Sequence, residues 1–347
     1  MELSELEPKL VAFCRAMYDD PGAEVTALAK GPGHAGFSYI FTVRAAGKEE
    51  RWFMRLPPPN VRWVGTADVL RQVAALNALE GTPVPHCTVR WSGDDLRWFG
   101  CPYFVVPKLE GTIMRFEGSP ELAATSRDRR FGMARQAITA LAGIHRVDWH
   151  RAEYLGAPIP FDEDVTRWDR FMPKVAEPQR LRAVPEVRQL LLDRIPAGAN
   201  VGIFHGDFQW ANLFYSFDGE LLAVIDWELV GVGATGNDVG WIATFNDPAA
   251  WSSEREPSNL MPQADELVAM YIEAWGAPVP HLDWFRALAA YKFAIISGFN
   301  LALHRRGKRE DPVWEVTALS IEPLLERARE LLTRRTRRQS DGQRSEW

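Results

Sequence analysis

The pattern of apolar and polar positions divides the chain into a strand-rich first part and a mainly helical remainder. Between residues 37 and 45 apolar residues alternate with polar ones, as in a half-buried strand, and the Ala46-Gly47 pair that follows predicts a turn. Apolar residues recur at helical spacing in two segments, 4–18 and 67–79. Further strands are predicted at 24–30, 51–56, 87–92 and 102–106.

The helical remainder is interrupted by one β-rich island. An Asp218-Gly219 pair between two apolar runs predicts a hairpin there. Helices are predicted at about 119–149, 165–176, 185–194, 262–275, 281–304 and 312–335. We therefore predict an α+β fold of two lobes, with the boundaries 1–106 for the N-terminal lobe, 107–112 for a hinge, 113–335 for the helical C-terminal lobe and 336–347 for a frayed polar tail.

Composition narrows the class of protein. The 347 residues carry a formal net charge of -6, which gives no general reason to expect nucleic acid or an anionic membrane as a partner. The N-terminus is acidic and lacks the pattern of a secretory signal, and the longest uncharged apolar stretch, 293–303, is too short to span a bilayer. Three widely spaced cysteines predict reduced thiols rather than a metal site. We expect a cytoplasmic protein, and the sequence leaves its oligomeric state open.

Candidate chemistry is concentrated in FHGDFQWANLFYSFDGELLAVIDWE, residues 204–228. Asp207 and Asn212 have the spacing of a kinase catalytic loop, and Asp226 follows the second strand of the predicted hairpin. An amide oxygen and a carboxylate oxygen are hard ligands that Mg²⁺ takes together with phosphates. Asp207 would orient the acceptor hydroxyl and accept its proton. The spacing alone also fits a turn capped by an Asx hydrogen bond; its context favours the kinase interpretation.

The motif H-G-D-x-x-x-x-N followed by I-D-W-E resembles the aminoglycoside phosphotransferase superfamily of protein-kinase-like folds. The resemblance extends over nearly the whole chain through GPGHAGFSYIFTV, RWFMRLPPP, PYFVVPKLEGT, LAGIHRVDW and GNDVGWIA. It is closest to the kinase-like domains of some acyl-CoA dehydrogenases. Gly206 stands where protein kinases have arginine, and no Ala-Pro-Glu follows, so a small hydroxylated acceptor fits better than a protein substrate.

The resemblance implies a two-lobe protein-kinase-like fold that uses ATP and Mg²⁺, with GTP as an alternative donor because hinge contacts are made by backbone. It implies Asp207 as the catalytic residue and Asn212 and Asp226 as metal ligands. The implied nucleotide contacts are Gly33, Gly36, Phe37, Ser38, Arg55, Gln72, Pro107, Lys108 and Leu109. Supporting roles fall to His205, Glu228 and Asp238.

Two of these positions depart from the family pattern. Arg55 stands where relatives usually have a lysine; arginine is always charged and binds phosphate well, although the same residue also fits a plain strand-end arginine. Gln72 stands where a glutamate usually pairs with that cation, and it can accept a hydrogen bond but brings no charge. Because Gln72 brings no charge, a nucleotide-binding module without catalytic activity is the alternative to an enzyme.

The acceptor is predicted from charge. A pocket for polycationic aminoglycosides should be acidic, but the helical part carries Arg-rich segments at 127–135 and 304–309. We therefore expect a neutral or anionic acceptor of the hydroxyacyl-CoA or hydroxy acid type. An aminoglycoside antibiotic is the alternative.

Overall fold

In the computed structural model the described residues are 1–31, 37–113, 120–255, 257 and 259–334. The predicted loop residues Gly33 and Gly36 and the predicted frayed tail lie outside these ranges. The chain divides into two compact units. The first unit comprises 1–112, 147–156 and 214–230, and the second comprises 113–146, 157–213 and 231–347.

The strands and helices have the following bounds. The strands are β1 (Glu24–Lys30), β2 (Ser38–Ala45), β3 (Lys48–Arg55), β4 (Trp91–Gly93), β5 (Tyr103–Pro107), β6 (Thr112–Ile113), β7 (Val201–Phe204), β8 (Leu213–Tyr215), β9 (Leu221–Val224) and β10 (Gly231–Ala234). The helices are α1 (Leu3–Met17), α2 (Val69–Leu79), α3 (Leu96–Phe99), α4 (Pro120–Ala124), α5 (Arg127–Arg146), α6 (Phe161–Thr166), α7 (Val184–Asp193), α8 (Gly236–Phe245), α9 (Ala264–Trp275), α10 (Leu282–Arg305), α11 (Val313–Thr317) and α12 (Ile321–Thr333).

The first unit is built on a five-stranded antiparallel sheet in the order β1-β2-β3-β5-β4. Alternate residues of β2 and β3 face a buried core of aromatic and aliphatic side chains, to which α1 contributes its apolar stripe. The register places Arg55, at the end of β3, between Ser38 of β2 and Phe104 of β5. The sheet therefore fixes the predicted nucleotide-binding cation on a paired strand.

Two later segments complete the first unit. The hairpin of β8 and β9 turns at Gly219, whose φ of 81° is the left-handed conformation that the predicted Asp-Gly turn requires. Residues 147–156 follow α5 and form a short 3₁₀ segment, Trp149–Leu155. Asp226 comes directly after β9, in the loop that precedes β10.

The second unit is mainly helical and is organised around α8 and α10. Both helices are buried along most of their length, and their side chains form one large apolar core with α7 and α12. Gly240 lets them approach closely, because a Cβ at this position would lie 2.5 Å from the carbonyl oxygen of Phe285. The antiparallel pair β7 and β10 lies in the same unit.

The α+β class, with a β-rich unit and a helical unit, is confirmed. Strand β10 and helix α8 are among the elements that periodicity did not predict. β10 reads GVGA and is too short and glycine-rich to show an alternating pattern. α8 is buried all round, so no polar face marks its helical period.

Helix α10 is long and apolar enough to cross a membrane by length and composition. Most of its residues are buried within the protein, including a continuous run from Trp284 to Ile295. It is therefore a core helix of the second unit.

Candidate active site

The candidate catalytic loop connects β7 to a short 3₁₀ turn, Trp210–Asn212. Gly206 adopts a φ of 87°, which turns the chain sharply before Asp207. The turn brings Asn212 back to Asp207, so that the Asn212 side-chain amide donates to the Asp207 backbone carbonyl at 2.8 Å and to Oδ2 at 2.9 Å. The five-residue spacing seen in the sequence is thus the length of one closed loop.

Neutral donors hold the Asp207 carboxylate in place. Gln209 Nε2 lies 3.0 Å from both carboxylate oxygens, and Trp241 Nε1 donates to Oδ1 at 2.9 Å. Together with Asn212, these side chains supply hydrogen-bond donors to both carboxylate oxygens. The Asp207 carboxylate is therefore held in place by three side chains.

Asp238 anchors the backbone of the loop from behind. Its carboxylate is completely buried and accepts the backbone N–H groups of His205 at 2.7 Å and Gly206 at 2.8 Å. Burial alone would raise the pKa of Asp238, but the hydrogen bond and charge of His145 and the contact with Gly206 outweigh it and hold the pKa below its ordinary value. Asp238 is therefore an ionised anchor, consistent with its predicted supporting role.

Histidine side chains complete this support. His145 lies between the Tyr271 hydroxyl, at 2.7 Å, and Asp238 Oδ2, at 3.1 Å, and both its ring nitrogens are thereby engaged. The His205 Nδ1 accepts the backbone N–H of Asp207 at 3.2 Å. In both arrangements the histidine ring contacts groups that position the loop.

Arg55, the cation predicted at the end of β3, contacts two acidic residues of the first unit. Arg55 donates to Glu228 Oε2 at 2.9 Å, and its guanidinium lies 3.9 Å from Asp226 Oδ1. The Arg55 side chain is 14% exposed, whereas the Glu228 side chain is 35% exposed, so the ion pair is shielded from water mainly on its arginine side. Arg55 is thus held beside the predicted metal ligand Asp226.

Asp226 itself has an unusual backbone. Its φ of 61° and ψ of 61° are left-handed, a conformation that residues other than glycine adopt infrequently. The conformation redirects the chain at the end of β9 into the 3₁₀ turn Trp227–Leu229, which carries Glu228. Backbone outliers of this kind concentrate at functional sites.

Gln72, which stands at the position expected to pair with Arg55, does not accept a hydrogen bond from it among the contacts of the described residues. It is buried on α2, while Arg55 donates to Glu228 instead. The carboxylate partner that Gln72 cannot supply is therefore provided by a residue 173 positions away from Arg55. No local signal links the two residues.

The predicted hinge and strand contacts have the following positions. Pro107 ends β5 opposite Trp52, and the backbone N–H of Lys108 donates to the Arg51 carbonyl at 2.9 Å. The Lys108 ammonium pairs with Glu110 at 2.7 Å. Leu109 follows in the same segment, and its nucleotide contact stays a prediction.

The other two predicted contacts lie at the start of β2. The Ser38 carbonyl accepts the Gly31 N–H at 2.7 Å, and the Phe37 carbonyl accepts the Leu56 N–H at 2.9 Å. Backbone hydrogen bonds therefore pair Gly31 with Ser38 and Phe37 with Leu56. The contacts of Phe37 and Ser38 with a nucleotide likewise stay predictions.

The model of the phosphotransferase enzyme family, known as APH, matches residues 34–288. The chain belongs to this family. The match spans both units and includes the catalytic loop, Arg55 and Asp226. It bears out the family resemblance carried by the H-G-D-x-x-x-x-N motif.

Two curated relatives of this family member are considerably longer than the region they share with it. A probable acyl-CoA dehydrogenase of Arabidopsis thaliana is 27% identical over 290 residues, covering 75% of this chain and 35% of that protein. Acyl-CoA dehydrogenase family member 11 of Gallus gallus is 26% identical over 271 residues, covering 73% of this chain and 34% of that protein. The chain thus spans about a third of the length of these relatives.

Solved structures confirm the two-lobe phosphotransferase fold. A putative aminoglycoside phosphotransferase from Ralstonia eutropha superposes with a TM-score of 0.75 at 19% identity, covering 94% of this chain and 98% of the other. Choline kinase LicA from Streptococcus pneumoniae gives a TM-score of 0.59 at 13% identity, covering 95% and 99%. At these identities the likeness concerns the fold.

Two residues that contact the candidate catalytic residue were not predicted from the sequence. Gln209 and Trp241 both donate to the Asp207 carboxylate. Glu228, for which a supporting role was predicted, pairs with Arg55. Gln209 could have been suspected from its place inside the catalytic loop. Nothing in the sequence marks Trp241, because it lies 34 positions from Asp207.

Proposed function

We propose that this protein is an ATP- and Mg²⁺-dependent phosphotransferase that moves the γ-phosphate to a hydroxyl group of a small molecule. The main support for this proposal is the position of Asp207, whose carboxylate is held by hydrogen bonds from Gln209, Asn212 and Trp241. Held in this way, the Asp207 carboxylate can orient an acceptor hydroxyl and accept its proton. Phosphoryl transfer asks the protein mainly for such positioning and for electrostatic stabilisation.

The donor atoms present fit a magnesium ion. The Asn212 amide group uses its nitrogen on Asp207, which leaves the amide oxygen as its available ligand atom. Asp226 offers a carboxylate that is 41% exposed. Both are hard oxygen donors of the kind Mg²⁺ prefers, and the bound ion would supply neutralisation of phosphate charge. We propose Asn212 and Asp226 as its protein ligands.

Arg55 is the proposed phosphate-binding cation. Its guanidinium is held by Glu228, so its position does not depend on Gln72. The absence of charge at Gln72 is the one sequence feature that favoured a non-catalytic module. Because Glu228 supplies a carboxylate to Arg55, we favour the catalytic function over that module.

The proposed acceptor is a neutral or anionic hydroxylated compound. The names of the relatives connect them with acyl-CoA chemistry, so hydroxyacyl-CoA compounds and hydroxy acids are the first acceptors to assay. Aminoglycosides are the comparison set, since a structural neighbour bears that name.

The test is ADP release with ATP and Mg²⁺ across both acceptor sets, for the wild type and for Asp207→Asn. General-base catalysis typically contributes about 10²- to 10⁴-fold, so we expect Asp207→Asn to lower kcat by that factor. Asp218→Asn is the matched control, because Asp218 is exposed in the hairpin turn and Asn-Gly suits the same turn. Equal turnover by the wild type and Asp207→Asn would refute the proposed role of Asp207.

A further inference from the structure

Lys292 is a buried cation near the candidate catalytic loop. It lies on α10, in the second unit, and is 5% exposed. Its ammonium is 5.5 Å from the ring centroids of both Trp168 and Trp241. Two aromatic faces around an ammonium group form a cation site of the kind that binds cationic ligands. In this protein the site is filled by a side chain of the chain itself.

The carboxylate nearest to Lys292 is already neutralised by another residue. Asp164 Oδ1 is 2.7 Å from the Arg167 guanidinium but 3.9 Å from the Lys292 ammonium. The other oxygen, Oδ2, accepts the Asn237 amide at 2.7 Å. Asp164 therefore has two cations beside it, Arg167 and Lys292, and its single negative charge cannot balance both.

The ammonium also has unused hydrogen-bonding capacity. A lysine ammonium has three donors, and none of the hydrogen bonds within the described part of the chain involves Lys292. Burial lowers the pKa of Lys292, while the negative charges of Asp164, Asp238 and Asp207 oppose that shift and Arg167 adds to it. An oxygen-bearing ligand would complete this environment better than the protein alone does.

Trp241 connects Lys292 to the reacting group. The indole nitrogen of Trp241 donates to Asp207 Oδ1 at 2.9 Å, while the Lys292 ammonium lies over the same ring. An acceptor whose hydroxyl binds Asp207 would therefore lie about one indole ring away from a positive charge. At the effective dielectric of a protein interior, one unit charge acting on another at that separation is sufficient for about a tenfold change in affinity.

We propose that Lys292 determines acceptor specificity, by filling the aromatic cation site next to Asp207 and selecting acceptors that carry a carboxylate over cationic ones. The proposal rests on the phosphotransferase function proposed above and narrows its acceptor class. An acceptor with an ammonium group would meet a filled cation site and a like charge. An acceptor with a carboxylate would meet a favourable field and unused donors.

The test uses three acceptors of one chain length that differ at the end remote from the hydroxyl: γ-hydroxybutyrate, its amide and the corresponding amino alcohol. ADP release gives kcat and KM for each, and thermal unfolding in the presence of ADP and Mg²⁺ gives binding. We expect the wild type to prefer the acid over the amino alcohol by about tenfold or more.

Three variants separate charge from packing. Lys292→Met keeps a long apolar side chain without the charge and should raise KM for the acid about tenfold, with less than about a twofold change for the amide. Lys292→Arg keeps the charge and should retain the preference for the acid. Lys308→Met removes an exposed lysine of the same unit and should change nothing.

The measurements distinguish an incorrect role of Lys292 from an incorrect role of Asp207. If Asp207→Asn leaves turnover of all three compounds unchanged, the catalytic role of Asp207 is wrong. If Asp207 is required but Lys292→Met keeps the wild-type ratio of acid to amino alcohol, the role of Lys292 is wrong. A wild type that shows no preference for the acid in either turnover or binding also overturns it.

Discussion

The buried Asp238 carboxylate holds the catalytic loop in position, and its removal should have a large effect on both stability and turnover. Asp238→Ala removes a completely buried carboxylate that binds the backbone of His205 and Gly206 and the ring of His145. The replacement leaves two backbone N–H groups and an imidazole buried without that acceptor. We expect the loop to lose its fixed position, so that both stability and turnover fall.

The magnitude follows from those contacts. An unsatisfied buried donor costs about 1–3 kcal/mol, and removing one member of a buried charged network typically costs about 3–5 kcal/mol in total. Domains have unfolding free energies of about 5–15 kcal/mol, so Asp238→Ala should consume a large part of the stability of the second unit. We take about 3–5 kcal/mol as the expected loss of unfolding free energy.

Urea unfolding followed by tryptophan fluorescence measures that loss at neutral pH, and ADP release measures turnover in parallel. Asp265→Ala is the matched control, because the Asp265 side chain is 94% exposed and its buried partner Arg286 also has an ion pair with Asp247 at 2.8 Å. An ion pair made by a solvent-exposed carboxylate contributes about 0–1 kcal/mol. An unfolding free energy for Asp238→Ala equal to that of Asp265→Ala would refute the anchoring role.

The same carboxylate predicts a pH dependence. The pKa of Asp238 lies below its ordinary value in the folded protein, so the folded state binds fewer protons than the unfolded state in that range. Its contribution to stability is therefore complete above the ordinary aspartate pKa of about 4 and is lost as pH falls through the lower folded value. The difference between the wild type and Asp238→Ala should shrink below about pH 4; a difference that stays constant into acid would contradict the assignment.

Further predictions concern the other contacts of the site. Trp241→Phe removes the donor to Asp207 and should lower kcat by about tenfold to a hundredfold with KM for ATP unchanged, since a hydrogen bond to a charged group contributes about 1.5–3 kcal/mol; an unchanged kcat would show that the bond is dispensable. Arg55→Met should raise KM for ATP by about tenfold or more in steady-state assays, because a phosphate-binding charge is lost; an unchanged KM would remove Arg55 from the nucleotide site. Gly240→Ala should lower the unfolding free energy in urea by about 1–3 kcal/mol, because its Cβ would meet the Phe285 carbonyl oxygen at 2.5 Å; wild-type stability would show that the helices can separate without cost.

Short-range features of this protein were determined by the sequence itself. The hairpin turn at Gly219 follows from an Asp-Gly pair, because that pair readily adopts the required left-handed turn. The Asp207 to Asn212 loop follows from a spacing of five, because the amide reaches back over a single turn of chain. The β-rich and helical divisions follow from apolar periodicity, which reports which face of an element is buried.

Long-range pairings were decided only by the tertiary structure. The partner of Arg55 is Glu228 rather than Gln72, and the side chain that holds Asp207 from outside its loop is Trp241. Helix α8 carries no amphipathic signal because it is buried on all sides, so its contribution to the site became visible only in the packed core. Contacts between residues far apart in the chain depend on how the elements pack, and a single sequence records periodicity and local spacing but not which buried side chains meet.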